Sequence, residues 1–188
     1  MSPAIPEIST DNLVITQLLP QDFPLLAKYE RENRAHLAPW EPSRDKDYFS
    51  DAAIEKRLTQ LFAQFQAGNS LFLVGLNHSR SQIICVCHFS NIVYGAFQAC
   101  HLGYSIAASA QGKGLMFEML NPAIDYVFKN YGLHRIMANY LPHNQRSENL
   151  LMRLGFEREG YAKSYLNIAG TWQDHVLTAK LNPEHIES

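Results

Sequence analysis

The chain has 188 residues, of which 46% are hydrophobic and 18% are charged, and its net charge is −2. This composition indicates one globular domain with a substantial core, and the near-neutral charge argues against a broad basic surface for nucleic acid. No apolar run approaches the length of a membrane span and the N-terminus shows no secretory signal, so we expect a cytoplasmic protein without a membrane partner.

Hydrophobic periodicity predicts seven strands and four helices. The predicted strands cover residues 13–18, 70–76, 82–93, 99–106, 135–140, 157–166 and 171–181. The predicted helices cover residues 22–33, 51–67, 115–131 and 144–154. The order β-α-α-β-β-β-α-β-α-β-β predicts an α/β fold with a mixed sheet and helices on both faces. We expect a single domain over residues 1–188, with loosely held tails at 1–10 and 182–188.

Proline, glycine and cysteine positions refine this prediction. Pro39 and Pro42 cannot lie inside a helix, so the first helix is expected to end before them. Pro122 lies inside the third predicted helix and is expected to bend it. The three cysteines have no CxxC spacing, which favours small buried side chains over a metal site.

The most informative stretch is residues 98–120, QACHLGYSIAASAQGKGLMFEML. An apolar strand leads through small residues into a glycine turn, and helical spacing begins directly after it. The first N–H groups of a helix lack intrahelical acceptors and carry partial positive charge, so such a turn can hold a phosphate group. The turn lacks the hydroxyl of the nucleotide-hydrolase loop, and Phe117 replaces the third glycine of the dinucleotide fingerprint.

This turn resembles the Q/R-x-x-G-x-G/A turn of the GCN5-related N-acetyltransferase (GNAT) superfamily, which holds the pyrophosphate of acetyl-CoA. Three other stretches, CHLGY at 100–104, PHNQRS at 142–147 and LGFEREG at 154–160, resemble motifs of the same superfamily. The chain is most similar to RimJ/RimL-type ribosomal-protein-alanine N-acetyltransferases, and among them to the small-subunit, RimJ-like type. The stretches that carry this likeness are NRAHLAPWEPSRD, LGYSI, QGKGLMFE, HRIMANYLPHN, RLGFEREGYAK and DHVLTA.

The resemblance spans about residues 11–181 and implies the GNAT fold. It also implies transfer of acetyl from acetyl-CoA to the N-terminal α-amine of a ribosomal protein, by direct attack and without a metal. A monomer or a homodimer is expected. Two alternatives stay open: acetylation of a small-molecule amine or a protein lysine, and a CoA-binding, ribosome-associated factor with little catalysis.

The resemblance assigns the cofactor-binding and acceptor residues. The expected acetyl-CoA contacts are Ile106, Ser109, Gln111, Gly112, Lys113, Gly114, Leu115 and Asn144. Ser109 stands where the family often has Arg or Gln, so one side-chain contact is expected to be missing. Asn144 is also suited to cap the following helix. Trp40 and Glu41 are expected at the acceptor groove, although a loop that only links two helices would also explain them.

The resemblance implies Ser147, His101 and Asn144 as catalytic residues. Ser147 resembles the serine that assists thiolate departure, and Leu151 replaces the tyrosine that many relatives use. The expected general acid is therefore Ser147 or a water that it holds, and an ordinary exposed or capping serine is the alternative. His101 occupies a strand position where relatives carry a glutamate base, and an imidazole can accept a proton at neutral pH. A histidine with no catalytic role is the alternative. Glu41 and Glu118 are further candidates for the base.

The lack of a strong base favours an α-amine acceptor. An α-amine has a pKa of about 7.7–8.0, whereas the lysine side chain has a pKa of about 10.4. A sizeable fraction of N-terminal amines is therefore already neutral near pH 7, whereas almost no lysine side chains are. An enzyme with a weak base would thus handle N-termini better than lysines.

Overall fold

The computed structural model describes residues 4–185. In this part of the chain the strands are β1 Glu7–Ser9, β2 Val14–Gln17, β3 Leu71–Leu76, β4 Ile83–Val93, β5 Ala99–Ile106, β6 Arg135–Met137, β7 Glu157–Ile168 and β8 Thr171–Leu181. The α-helices are α1 Phe23–Leu37, α2 Asp51–Gln66, α3 Leu115–Tyr131 and α4 Gln145–Arg153. Over residues 4–185 no helix is long and apolar enough to cross a membrane.

All strands belong to one sheet with the order β1-β2-β3-β4-β5-β6-β8-β7. Every neighbouring pair is antiparallel except β5 and β6, which run parallel. The predicted mixed sheet is therefore confirmed, and so is the predicted order of helices and strands from β2 onward.

Two hydrophobic clusters cover the opposite faces of the sheet. Side chains of α1 and of the first part of α2 pack on one face, and those of α3 and α4, joined by Phe65 near the end of α2, pack on the other. Strand β3 shows the alternation clearly: Leu73 lies in the α3/α4 cluster, whereas Phe72 and Val74 lie in the α1/α2 cluster. Because neighbouring side chains of a strand point to opposite faces, β3 must be apolar at nearly every position.

Both ends of the chain differ from the expected loose tails. Strand β1 pairs with β2 in the register Glu7↔Thr16 to Ser9↔Val14. At the other end Asn182 is buried, and its side-chain amide donates a hydrogen bond of 3.0 Å to the carbonyl of Leu133. The N-terminal segment is held by backbone pairing and the C-terminal one by a buried side-chain amide. Hydrophobic periodicity predicts neither kind of contact. Residues 1–3 and 186–188 of the expected tails lie outside the described residues.

Helix α1 is longer than predicted, because it continues past residue 33 to Leu37 and then tightens into a short 3-10 turn at Ala38–Trp40. Pro39 removes only its own N–H donor, so the helix can continue almost to the proline. Pro122 lies inside α3 as predicted.

Strands β5 and β6 separate after a short paired segment. Their register runs from Ala99↔Arg135 to His101↔Met137 and goes no further. The chain after β6 follows β8 instead: the Ala138 N–H donates to the Thr178 carbonyl at 3.0 Å. The predicted strand 135–140 therefore pairs with β5 only through Met137. Beyond this point a wedge-shaped gap, called the wedge below, opens between the second half of β5 and the segment after β6.

Candidate active site

A cleft of about 1460 Å³ passes through the wedge between β5 and the segment after β6. One end lies at the glycine turn before α3, and the other end lies at the loop after α1 and the β7–β8 turn. Residues from both faces of the sheet line it, among them Tyr104, Tyr140, Ser147 and His175. The cleft therefore connects a phosphate-type site at one face with a pocket at the other.

Backbone N–H and C=O groups of β5 that face the wedge have no partner strand there. The Ala107 N–H donates to Ile84 of the β4 side, whereas the Gln98 carbonyl accepts from Arg135 of the β6 side. Because peptide groups in a strand alternate between the two neighbours, the N–H of Tyr104 faces β6, where no partner strand remains. Such an N–H can donate a hydrogen bond to a carbonyl oxygen placed in the wedge.

The glycine turn has the backbone shape that a phosphate site needs. Gly112 and Gly114 have φ angles of +73° and +77°, which other residues rarely adopt. A Cβ on either glycine would meet no atom within 4 Å, so the space in front of the turn is open. Gly114 is the N-cap of α3, and the N–H groups of the first turn of the helix therefore point toward this space.

Gly114→Val should weaken CoA binding by at least about tenfold, because valine at positive φ costs about 1–3 kcal/mol and the turn would change shape. Gly95→Val is the matched control, since Gly95 has a φ of +75° and an equally open Cβ position away from the cleft. Isothermal titration should show reduced affinity for Gly114→Val alone, while both variants lose similar stability. Unchanged affinity in folded Gly114→Val would contradict the phosphate-site assignment.

The side chains of the turn are engaged with their neighbours. The side-chain oxygen of Gln111 accepts a 2.8 Å hydrogen bond from Arg146 of α4, and its side-chain nitrogen lies 3.1 Å from His36 Nε2 of α1. Lys113 donates to the backbone carbonyl of Ser109 at 2.9 Å. Of the predicted cofactor residues, Ser109 and Lys113 are not in the cleft wall, whereas the other six are: Ile106, Gln111, Gly112, Gly114, Leu115 and Asn144.

Asn33, which the sequence interpretation did not single out, holds the start of this turn. It is buried, its side-chain oxygen accepts from the Ala108 N–H at 2.9 Å, and its nitrogen donates to the Tyr29 carbonyl. Helix α1 is thereby joined to the segment between β5 and the glycine turn.

Asn33→Leu should lower the free energy of unfolding by about 0.5–1.5 kcal/mol, because it removes the hydrogen bond that joins α1 to the Ala108 N–H. Asn130→Leu is a suitable comparison, since Asn130 makes the same i−4 carbonyl bond on an exposed surface. Urea denaturation should show a loss below about 0.5 kcal/mol for that variant. Equal losses in the two proteins would contradict the special role of Asn33.

Asn144, Ser147 and Tyr104 form a polar cluster inside the wedge. The Asn144 side-chain oxygen accepts the Ser147 N–H at 3.1 Å, which confirms the predicted helix cap. The Ser147 hydroxyl lies 2.5 Å from the Tyr104 hydroxyl. Burial raises the pKa of Tyr104 to about 12, although its bond to Ser147 lowers it somewhat. The neutral phenol can therefore donate a proton or hydrogen bond to Ser147.

Tyr104 was missed as a site residue, although it belongs to the LGYSI stretch. Many relatives are expected to carry their tyrosine on the last helix, where this chain has Leu151, and Leu151 is buried in the core. Strand β5 instead brings a tyrosine hydroxyl to Ser147. Only the alignment of β5 with α4 in space could reveal this contact.

Trp40 and Glu41, which were predicted to lie at an acceptor groove, are in the cleft wall at its far end. Trp40 packs against His143 with ring centroids 5.7 Å apart, and the Glu41 carbonyl accepts the Ala169 N–H of the β7–β8 turn at 2.9 Å. Burial raises the pKa of the Glu41 carboxyl, and the charge of Arg44 opposes that rise. A half-buried carboxylate at this position suits an ammonium or amine.

The loop after Glu41 is fixed by arginines. Arg57 pairs with Glu30 at 2.5 Å and lies 3.6 Å from the ring centroid of Tyr48, and Arg44 lies 4.4 Å from the same centroid. These cation–π contacts and the ion pair hold the loop against α1 and α2. The far end of the cleft is therefore lined by both positive and negative side chains.

Two candidate bases from the sequence are not placed in the cleft wall. His101 is half-buried and pairs in register with Met137, where β5 and β6 are still joined, and its Nδ1 is sealed from solvent without a partner. Glu118 accepts hydrogen bonds from Thr10 and Asn12. Burial would raise the pKa of Glu118, but these bonds outweigh it and lower the pKa, so Glu118 is a structural carboxylate. Two other imidazoles, His88 and His175, do line the far end of the cleft.

Residues 12–157 match the profile of the acetyltransferase (GNAT) domain. The chain thus belongs to the GNAT acetyltransferase family, and the predicted fold and enzyme class are confirmed. A relative from Escherichia coli (strain K12), ribosomal protein uS5-alanine N-acetyltransferase, is 50% identical over 178 residues, which are 94% of this chain and 91% of the relative.

Solved structures agree with this assignment. The ribosomal-protein-S5-alanine acetyltransferase from Vibrio fischeri superposes with a TM-score of 0.91 and 38% identity, over 95% of this chain and 98% of that chain. RimJ of Mycobacterium smegmatis, solved in complex with CoA-disulfide, superposes with a TM-score of 0.86 and 26% identity, over 98% of this chain and 89% of that chain.

Proposed function

We propose that this chain transfers the acetyl group of acetyl-CoA to the N-terminal α-amine of a ribosomal protein that begins with alanine. The observation that carries the proposal is the cleft through the β5/β6 wedge, which joins a phosphate-type turn to a partly acidic pocket. The 50% identity to the E. coli uS5-alanine acetyltransferase over nearly the whole of both chains supports the acceptor class.

The residues of the cleft fit acetyl-CoA in three ways. The turn offers open backbone N–H groups to the pyrophosphate, with Gly112 and Gly114 in the required conformation. The unpaired edge of β5 can hydrogen-bond the pantetheine arm. The side-chain nitrogen of Asn144 makes no hydrogen bond within residues 4–185 and can also donate to that arm. Acetyl-CoA supplies the thioester that is attacked.

The protein contributes placement and proton transfer. The Tyr104 N–H polarises the thioester carbonyl, and the acceptor pocket holds the amine on the α1/α2 face beside Trp40 and Glu41. Ser147 gives a proton to the departing thiolate, with Tyr104 as its hydrogen-bond partner. The attack is direct, so the cleft must hold both substrates at once.

The same reasoning supports one domain and a cytoplasmic site of action. Residues 4–185 build a single continuous sheet with helices on both faces. A ribosomal protein acceptor is made in the cytoplasm, so we infer that the enzyme acts there.

Among residues 4–185 there is no group of three or more His, Cys, Asp or Glu side chains that could hold a metal ion.

The decisive experiment is intact-mass spectrometry of ribosomal proteins from cells with and without this gene. We expect one ribosomal protein to lose 42 Da (an acetyl group) at its N-terminus when the gene is deleted, and to regain it on complementation. The purified enzyme should acetylate the corresponding N-terminal peptide. An unchanged set of ribosomal protein masses, together with turnover of a polyamine or lysine, would contradict the proposal.

A further inference from the structure

His175 of β8 lines the acceptor end of the cleft and is only 4% exposed. The neighbouring residue Val176 packs into the α3/α4 cluster, so His175 points to the opposite, acceptor-facing side of the sheet. The imidazole packs against the Tyr165 ring at a centroid distance of 5.5 Å. Its position is therefore set by two strands of the sheet.

One hydrogen bond decides which nitrogen of His175 is free. Nδ1 lies 3.1 Å from the Gln173 carbonyl, and because a carbonyl can only accept, Nδ1 must carry the hydrogen. In the neutral imidazole Nε2 is then an unprotonated acceptor. Within residues 4–185 Nε2 makes no hydrogen bond, and it is not sealed from solvent. The cleft is thus the opening through which Nε2 can be reached.

The other basic groups at this end are less suited to take a proton. His88 also lines the cleft, but its Nε2 is sealed from solvent without a partner, and its ring packs on Phe72. Burial raises the pKa of the Glu41 carboxyl against the opposing charges of Arg44 and Arg57, but within residues 4–185 no hydrogen bond or ion pair fixes the orientation of this carboxyl. Of these three groups within the described part of the chain, only His175 combines a fixed tautomer with an open acceptor nitrogen.

We propose that His175 is the general base of the acetyl transfer and receives the proton of the acceptor amine on Nε2. The amine nitrogen forms a bond to the thioester carbon, the carbon–sulfur bond breaks, and its electron pair leaves on sulfur. The proton lost by nitrogen goes to Nε2, and the Ser147 hydroxyl protonates sulfur. The imidazolium then returns its proton to solvent through the cleft, and the Ser147 oxygen takes a proton from the same solvent, so both side chains end in their starting forms. This inference rests on the proposed function.

The test uses two substitutions that remove basicity but keep different parts of the geometry. His175→Asn retains a donor for the Gln173 carbonyl, and His175→Gln retains a neutral acceptor near the position of Nε2. We expect kcat with an N-terminal alanine peptide to fall about 30- to 100-fold in both variants, near the lower end for a general base because part of the α-amine is already neutral. The affinity for acetyl-CoA should stay unchanged in calorimetry.

His78→Asn is the matched control, because His78 lies in the exposed β3–β4 turn, where its Nε2 is 2.9 Å from the Asp11 carbonyl. It should keep the wild-type kcat. Wild-type kcat in either folded His175 variant would overturn the proposal, since hydrogen bonding without basicity would then suffice. If the wild-type protein itself fails to acetylate α-amine peptides, the proposed function fails instead, so the two failures are distinct.

Discussion

Replacing Ser147 by alanine should lower kcat about 100- to 1000-fold, the usual effect of removing a general acid. The hydroxyl lies 2.5 Å from Tyr104 inside the wedge, where a thiolate would leave. Because the helix cap uses the Ser147 backbone N–H and not its hydroxyl, alanine keeps the cap intact. The dissociation constant of acetyl-CoA should therefore change by less than about twofold, and stability should be nearly unchanged.

Tyr104→Phe sharpens this test. If the phenol supports Ser147, its removal should cost about tenfold in kcat, and the double variant should be no worse than Ser147→Ala alone, because the two groups act as one unit. Single-turnover rapid-quench kinetics would isolate the chemical step, and Ser79→Ala, in the exposed β3–β4 turn, serves as the control. Wild-type single-turnover rates in Ser147→Ala would remove Ser147 from the mechanism.

An α-amine should be acetylated with a kcat/KM at least about 100-fold above that of a lysine side chain, a difference of about 2.7 kcal/mol. The cleft wall offers imidazoles and two partly buried carboxylates, Glu30, which is paired with Arg57, and Glu41. Such groups can deprotonate an amine of pKa about 8 but only poorly one of pKa about 10.4.

The measurement compares two peptides of one sequence. The first has a free N-terminal alanine and a blocked lysine, and the second has a blocked N-terminus and a free lysine. The preference should shrink as the pH approaches 10, because the lysine amine then becomes neutral without help from the enzyme. Equal kcat/KM values near pH 7 would contradict the α-amine specificity, while leaving the acetyltransferase assignment intact.

Periodicity was enough to predict most elements of this fold. Strand β3 is apolar at consecutive positions because both of its faces are covered, and α3 repeats its apolar residues at helical spacing. Strand β1 was not predicted because it has only three residues, which is too few to show an alternation of apolar and polar side chains, and it is held by backbone pairing with β2. Helix α1 was predicted too short because a proline ends a helix only close to its own position.

The glycine turn could likewise be predicted, because its function depends on backbone conformation that local sequence determines. Gly112 and Gly114 do adopt positive φ, and Gly114 does begin α3. The base could not be predicted in this way. His101 stands at a familiar motif position, yet β5 is still paired with β6 there, and the cleft opens only further along the strand.

The sequence by itself determined the class of protein, the order of elements and the phosphate-type turn, because these depend on residues close together in the chain. Only the tertiary structure decided which side chains meet in the cleft. Tyr104 reaches Ser147 across 43 positions, and His175 lines the far end of the cleft because β8 pairs with the segment after β6. Such contacts depend on strand register and on the divergence of β5 from β6, which local patterns do not encode.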